Sequence, residues 1–233
     1  MPLGLGMSVV SPNNQSWTPK NIPSLLHWFR FRHGISAQDD GNVTAWKDDH
    51  GTIIGTADGT ANNSPNLLAD GTIEFDNASS VLQFKVGGAS TTMVLGTFSL
   101  YFKINFSRTD TIGAEDLIES DGNNFFKLTS PTTARYKIAG TRHDFTFEEL
   151  AEGTPFVIGG ERTSGGAISV FVDNTAAEAD EGEGSQDVGQ QITLSQFGKP
   201  TNNSYWYEVV ICNDSLSSLD RDLLYEYLSN LSA

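Results

Sequence analysis

Cysteine is almost absent from this chain: Cys212 is the only one in 233 residues. No intrachain disulfide can form, so nothing in the chain requires an oxidising compartment. Cys212 falls in the apolar run EVVICND and is expected to be a buried thiol acting as a small hydrophobe. Basic residues are scarce as well. Fourteen Lys and Arg stand against 29 Asp and Glu, a formal net charge of −15. Such a surface repels phosphate backbones and anionic lipid, which argues against nucleic acid or membrane as a partner. The acidity serves solubility, or docking on a basic protein surface. Long apolar runs are also missing. None approaches the ~18 residues of a membrane helix. The start, MPLGLGMSVV, lacks the basic n-region and long h-region of a signal peptide. A soluble protein made in a cytoplasm is expected, and the N-x-S/T matches at Asn42 and Asn105 are then chance. His27, His33, His50 and His143 show no zinc spacing, and no G-x-S-x-G, Walker or dinucleotide motif is present.

What is plentiful is turn chemistry. There are 23 glycines, with many Ser, Thr, Asn and Asp, which suggests short strands and frequent turns. TFSLYFKINFS, residues 97–107, alternates Phe98, Leu100, Phe102, Ile104 and Phe106 with Ser99, Tyr101, Lys103 and Asn105. This predicts a strand with one face to the core and one to water. Further strands are expected at 73–75, 81–86, 125–128, 135–138, 143–147 and 192–197. PFVIGGERTSGGAISVFVD reads as a hairpin turning at Gly165 and Gly166. The strand YWYEVVICN precedes the one convincing helix, SLSSLDRDLLYEYLSNLSA. Ser217 or Ser218 would cap it, with Leu219, Leu223, Tyr227 and Leu228 on its apolar face. One terminal helix after many strands implies an all-β antiparallel sandwich with a helix docked on it. Residues 1–20 carry three prolines and no periodicity. They read as an extended arm, leaving 21–233 as the domain.

Four segments, taken in order, resemble the concanavalin A-like or laminin G-like jelly rolls of bacterial surface proteins and phage virion proteins. They are NIPSLLHWFR; VTAWKDDHG, similar to a W-x-D-x-S-G corner with His50 in place of serine; SPNLLADGTIEFDNASSVLQF, with Asn77 in place of a glycine; and the ending YEVVICNDSLSSLDRDLLYEYLSNL. The resemblance spans about residues 20–231. It implies a jelly-roll fold and a structural corner in which Trp46 fills the core and Asp48 accepts backbone N–H bonds. The alternative for that corner is a calcium or sugar site on Asp48 and Asp49. The MPLGLG start also resembles starts seen in marine phage structural proteins.

The sequence offers few other sites. EADEGE, residues 178–183, matches the E-x-D-x-x-E pattern of jelly-roll glucanases, in which two glutamates serve as nucleophile and acid/base. Here Glu178, Asp180 and Glu183 sit in a Gly- and Ala-rich stretch without a strand's alternation, which reads as a solvated loop. Calcium has oxygen donors in Asp39, Asp40, Asp121, Asp173 and Asp180, but no D-x-D-x-D-G loop. No cofactor is expected, with calcium left open. Among aromatics, Tyr205 and Tyr207 alternate with Trp206 in register with Val209 and Ile211. Trp206 then shares the opposite face with Glu208 and Val210, where it is either an exposed candidate for glycan or interface contact or covered by a loop or the terminal helix. Trp17 is a second, on the arm.

The expectation is a non-enzymatic phage virion structural protein, decorating a capsid or tail. Residues 1–20 or the acidic surface would dock on other virion proteins. The alternative is a carbohydrate-binding module for a host surface glycan, and a glucanase is a remote third. A homo-oligomer remains open.

Overall fold

A computed structural model of the chain describes residues 17–57, 64–76, 79–198 and 201–232. Asn77 and residues 1–16 lie outside them. In chain order the strands are β1 (Leu25–Phe29), β2 (Ile35–Ala37), β3 (Val43–Lys47), β4 (Ile54–Thr56), β5 (Asn66–Leu67), β6 (Ile73–Phe75), β7 (Val81–Val86), β8 (Ala89–Ser90), β9 (Met93–Leu95), β10 (Phe98–Phe106) and β11 (Glu115–Asp121). They continue as β12 (Asn124–Ser130), β13 (Thr133–Ile138), β14 (Thr141–Thr146), β15 (Phe156–Arg162), β16 (Ile168–Val172), β17 (Thr175–Ala176), β18 (Glu178–Ala179), β19 (Ile192–Leu194), β20 (Gln196–Gly198) and β21 (Ser204–Cys212). The helix α1 (Ser218–Ser229) follows.

Two antiparallel sheets stack face to face as a jelly-roll sandwich. The first runs β17-β16-β15-β10-β21-β6-β5, with β1 also laid along β21. The second runs β18-β14-β13-β12-β11-β20-β7-β4-β3-β2, with β8 beside β7. Rings from the two inner faces meet: Phe102 lies 6.1 Å from Phe126, and Trp206 lies 5.9 Å from Phe197. This interdigitation is the ordinary cement of a sandwich core.

The alternation of β10 predicts a solvated outer face, and there the structure differs. Ser99, Tyr101 and Lys103 are all buried. Helix α1 covers them, with Trp28, Tyr101, Val210, Leu224 and Leu228 forming a second apolar cluster. Period two shows that the two faces of a strand differ, not that one of them meets water. The helix buries Leu228 as expected, with Leu224 fully buried beside it; Leu223 and Tyr227 are only partly buried, and Leu219 is 65% exposed. Ser217 caps it, accepting from the Asp220 N–H at 3.1 Å.

The pairing of β21 with β10 contains a bulge. Glu208 sits opposite Lys103, but Trp206 sits opposite Ile104, so Tyr207 is the extra residue. The bulge reverses the facing of everything before it. Trp206 therefore points inward, with Val209 and Ile211. The segment 192–197 also divides: β19 pairs with β9 in a small separate sheet, while β20 joins the second sheet.

Candidate functional site

A cleft of about 620 Å³ opens at the end of the sandwich where β15 begins. Its wall is the 147–154 loop. That loop is pinned to the β12–β13 turn by Phe147 N–H to Thr132 O (2.9 Å) and Leu150 N–H to Pro131 O (3.1 Å). Opposite stands the two-residue turn between β16 and β17. Asp173 (φ +46°) and Asn174 (φ +63°) both take the left-handed conformation that a tight hairpin needs, and Asp and Asn tolerate it better than other side chains. Asp173 clamps the turn to β15: its Oδ1 accepts from Val157 N–H (2.9 Å). Asn174 ties it to the helix, donating to Asp222 Oδ1 (2.9 Å). The cleft is thus held by backbone bonds on the loop side and by the Asp173 and Asn174 side chains on the other.

Its chemistry is two-sided. Phe147, Leu150, Phe156 and Val172 supply an apolar surface, while the carboxylates of Glu148, Glu149, Asp173 and Glu178 surround it. No Lys or Arg is among the lining residues. Such a site accepts hydrogen bonds readily and repels anions.

The E-x-D-x-x-E carboxylates are not convergent here. Glu178 lies on the short exposed strand β18 and lines the cleft, whereas the Glu183 carboxylate accepts the Asp144 N–H. Asp144 belongs to a different cluster, where Arg135 grips it at 2.7 and 2.9 Å and Arg142 adds further bonds. Burial alone would raise the Asp144 carboxyl, but the two guanidiniums outweigh it and hold the pKa at about 2.

The Trp46–Asp48 corner is a clasp between β1 and β3. Trp46 is fully buried, 5.6 Å from Phe29, and its Nε1–H donates to Arg30 O at 3.2 Å. Asp48 Oδ1 accepts from the N–H groups of Trp28 (2.8 Å) and His50 (2.9 Å), and its Oδ2 lies 2.5 Å from His27 Nδ1. Burial opposes the charge on Asp48, yet these bonds and one from Gly51 hold its carboxyl below the ordinary range. A Cβ on Gly51 would stand 2.4 Å from Asp48 Oδ2, so the corner closes only with glycine there. Asp49 faces the other way, with Lys20 and His33 each at 3.2 Å.

The remaining candidates are dispersed. Trp206 is 1% exposed, which corrects its reading as a surface contact: the bulge at Tyr207 turned it into the core. Trp17 is half-buried and meets Tyr227 of the helix edge-on at 6.2 Å. Asp39 and Asp40 flank the β2–β3 turn, Asp121 the β11–β12 turn and Asp173 the cleft. Among the described residues no group of three or more His, Cys, Asp or Glu is placed to hold a metal ion. Cys212 is a free, buried thiol whose burial pushes its pKa up to about 12. The cleft itself had a sequence signal that went unread: Asp173-Asn174 between an apolar run and TAA is hairpin chemistry.

No protein-family model matches the sequence, and no curated protein sequence matches it. Solved structures do match in shape. The receptor-binding domain of botulinum neurotoxin C/D mosaic serotype superposes with a TM-score of 0.61 at 11% identity, over 88% of this chain and 51% of that one. The serotype D ligand-binding domain in complex with N-acetylneuraminic acid gives 0.59 at 12%, over 88% and 51%. Trypanosoma rangeli sialidase with 2,3-difluorosialic acid gives 0.56 at 12%, over 88% and 33%. The chain spans about half the length of these toxin domains and a third of the sialidase. At such identity the likeness is one of fold, an antiparallel β-sandwich.

Proposed function

We propose that this chain is a non-enzymatic glycan-binding module that holds an uncharged sugar in the cleft between the 147–154 loop and the β16–β17 turn. The observation carrying this reading is the pairing of an apolar wall with four surrounding carboxylates and no cation. A sugar ring has an apolar face of C–H groups and a rim of hydroxyl donors. Phe147 and Leu150 suit the face, and the carboxylates suit the rim, where each oxygen can accept from adjacent hydroxyls. The toxin domain and the sialidase are described with sialic acid ligands. Their ligand is anionic, and this cleft would repel it. The fold likeness supports a glycan, and the charge of the cleft supports a neutral one.

A glycan array probed with the full chain tests this. Binding to neutral glycans, weakened at least tenfold by Glu149→Ala combined with Glu178→Ala, is the expected result. No binding at millimolar sugar, with or without calcium, overturns it. Binding restricted to sialylated glycans overturns the assignment to this cleft. Hydrolysis of any bound glycan, lost in Glu178→Gln, would refute the non-enzymatic reading.

We further place the module on a phage virion, as the resemblance of its motifs and the MPLGLG start imply. The excess of 29 acids over 14 bases supports docking on a basic protein surface. Mass spectrometry of purified particles checks this, and absence from them ends it.

A further inference from the structure

At the far end of β15 from the cleft, the strand finishes in a buried cation with no counter-anion. Arg162 is 1% exposed. Its Nη1 donates to Gly96 O and to Gln190 O (2.9 Å), and its Nη2 to Asp187 O (2.7 Å). Its Nε is buried and has no acceptor. Among the described residues no carboxylate forms an ion pair with it. Other arginines of this chain behave differently. Arg135 and Arg221 each present the Nε–Nη2 edge to a carboxylate, Asp144 at 2.7 and 2.9 Å and Glu161 at 2.9 and 2.9 Å. That edge is the planar fork that matches an oxyanion. In Arg162 it is only partly used. Backbone carbonyls orient the group but carry no net charge, so the guanidinium stays uncompensated in a desolvated place. Desolvation accordingly lowers its pKa.

A cavity of about 350 Å³ adjoins it, with Arg162 in its wall. Thr163 and Ser164 contribute hydroxyls, and Asn213 an amide. Val94, 50% exposed, and Val188, 68% exposed, form an apolar rim. Large hydrophobic side chains this exposed are few on the described surface, and two of them meet here beside a buried charge.

We propose that this cavity is a second ligand site, separate from the glycan cleft, in which the unpaired Nε–H of Arg162 donates to a carboxylate or sulfate group while Val94 and Val188 cover an apolar portion of the same ligand. The proposal rests on the missing counter-charge, the cavity beside it and the apolar rim. It does not depend on the glycan reading.

Thermal melting and isothermal titration of the full chain test it, with sodium acetate, sodium isovalerate and sodium sulfate as probes and sodium chloride at matched ionic strength as control. Isovalerate or sulfate should bind with a dissociation constant at or below about 10 mM, and raise the melting temperature by about 2–5 °C over chloride at saturation. Isovalerate should bind more tightly than acetate, since only it reaches the rim. Arg162→Gln should abolish binding. Should that variant fail to fold, Val188→Glu decides: it keeps Arg162 and sets a like charge at the mouth, so weakened anion binding supports the site. Unchanged binding in Val188→Glu, unchanged binding in a folded Arg162→Gln, or no saturable effect of any anion over chloride overturns it.

Discussion

Gly160 lies in the middle of β15, where a Cβ would stand 1.9 Å from Tyr136 Oη and 2.3 Å from the same ring. Tyr136 cannot retreat, because it stacks on Phe126 at 4.1 Å between ring centres. Gly160→Ala should therefore destabilise by about 1–3 kcal/mol, a fall of roughly 2–10 °C in a melting curve for a domain of this size. A second residue-scale test concerns acid. The Asp144 carboxyl titrates at about 2 in the folded chain, against an ordinary 3.8. A depressed folded value means that its contribution is present above pH 4 and is lost as pH falls from there towards 2. Asp144→Asn should flatten the stability profile in that window when urea midpoints are compared at pH 5 and pH 2.5. A steep fall that persists unchanged in the variant would assign the acid sensitivity to other groups. Single residues were unevenly legible in the sequence. The corner of Trp46 and Asp48 was legible through the resemblance of VTAWKDDHG to a known corner motif, which is a local pattern. The Asp144 cluster and the cage around Arg162 were invisible, because their members come from β13, β14, β15 and distant loops.

Among the elements, β10 and α1 depend on each other. Lys103 Nζ is buried beneath the end of the helix and donates to Leu228 O (2.9 Å), Ser229 O (3.0 Å) and Leu231 O (2.5 Å). The last carbonyls of a helix lack partners of their own and carry its negative end, so a buried ammonium satisfies both needs. Arg221 adds a second tie, gripping Glu161 of β15, which also accepts from Tyr101 Oη at 2.6 Å. Lys103→Met would leave three carbonyls without this donor and should cost about 1–3 kcal/mol. Hydrogen exchange should show it as faster exchange over the last turn of the helix, with β12 and β13 unchanged. Uniform loss of protection across both sheets would argue against so local a role. Elements were where the sequence read best, with strands at 73–75 and 81–86 matching β6 and β7 end to end. It failed where one element modified another. The helix over β10 made a polar-looking face internal, and the bulge in β21 moved Trp206 across the sheet.

For the whole molecule, jelly-roll architecture followed from many short strands, one terminal helix and the order of the four resembling segments. The cleft beside the 147–154 loop did not follow, since it is made by loops that approach only when the sandwich closes. The segment 1–20 can be tested at this scale. Trp17 packs on the helix, Pro19–Asn21 form a short 3₁₀ turn, and Ile22 is buried. All the strands and the helix of the described residues follow these. Removing residues 1–16 should leave the melting temperature within about 2 °C, less than a typical point mutation moves it, while abolishing any association with particles. A large drop in melting temperature would make that segment part of the core.

The position of β21 has a consequence for the birth of the molecule. It is an interior strand of its sheet, bonded to β10 on one side and to β1 and β6 on the other. Yet it leaves the ribosome after every other described strand. For β1 it is the only ladder partner among the described residues. Synthesis at about 5–20 residues per second leaves these edges bare for several seconds. Pairings so distant along the chain also form slowly once the partner exists. The nascent chain therefore carries unpaired aromatic-rich strands until residues 204–212 appear. A chain stopped at residue 203 should be recovered as aggregate, and co-expressed holdase chaperones should raise the yield of the full chain more than lower temperature alone.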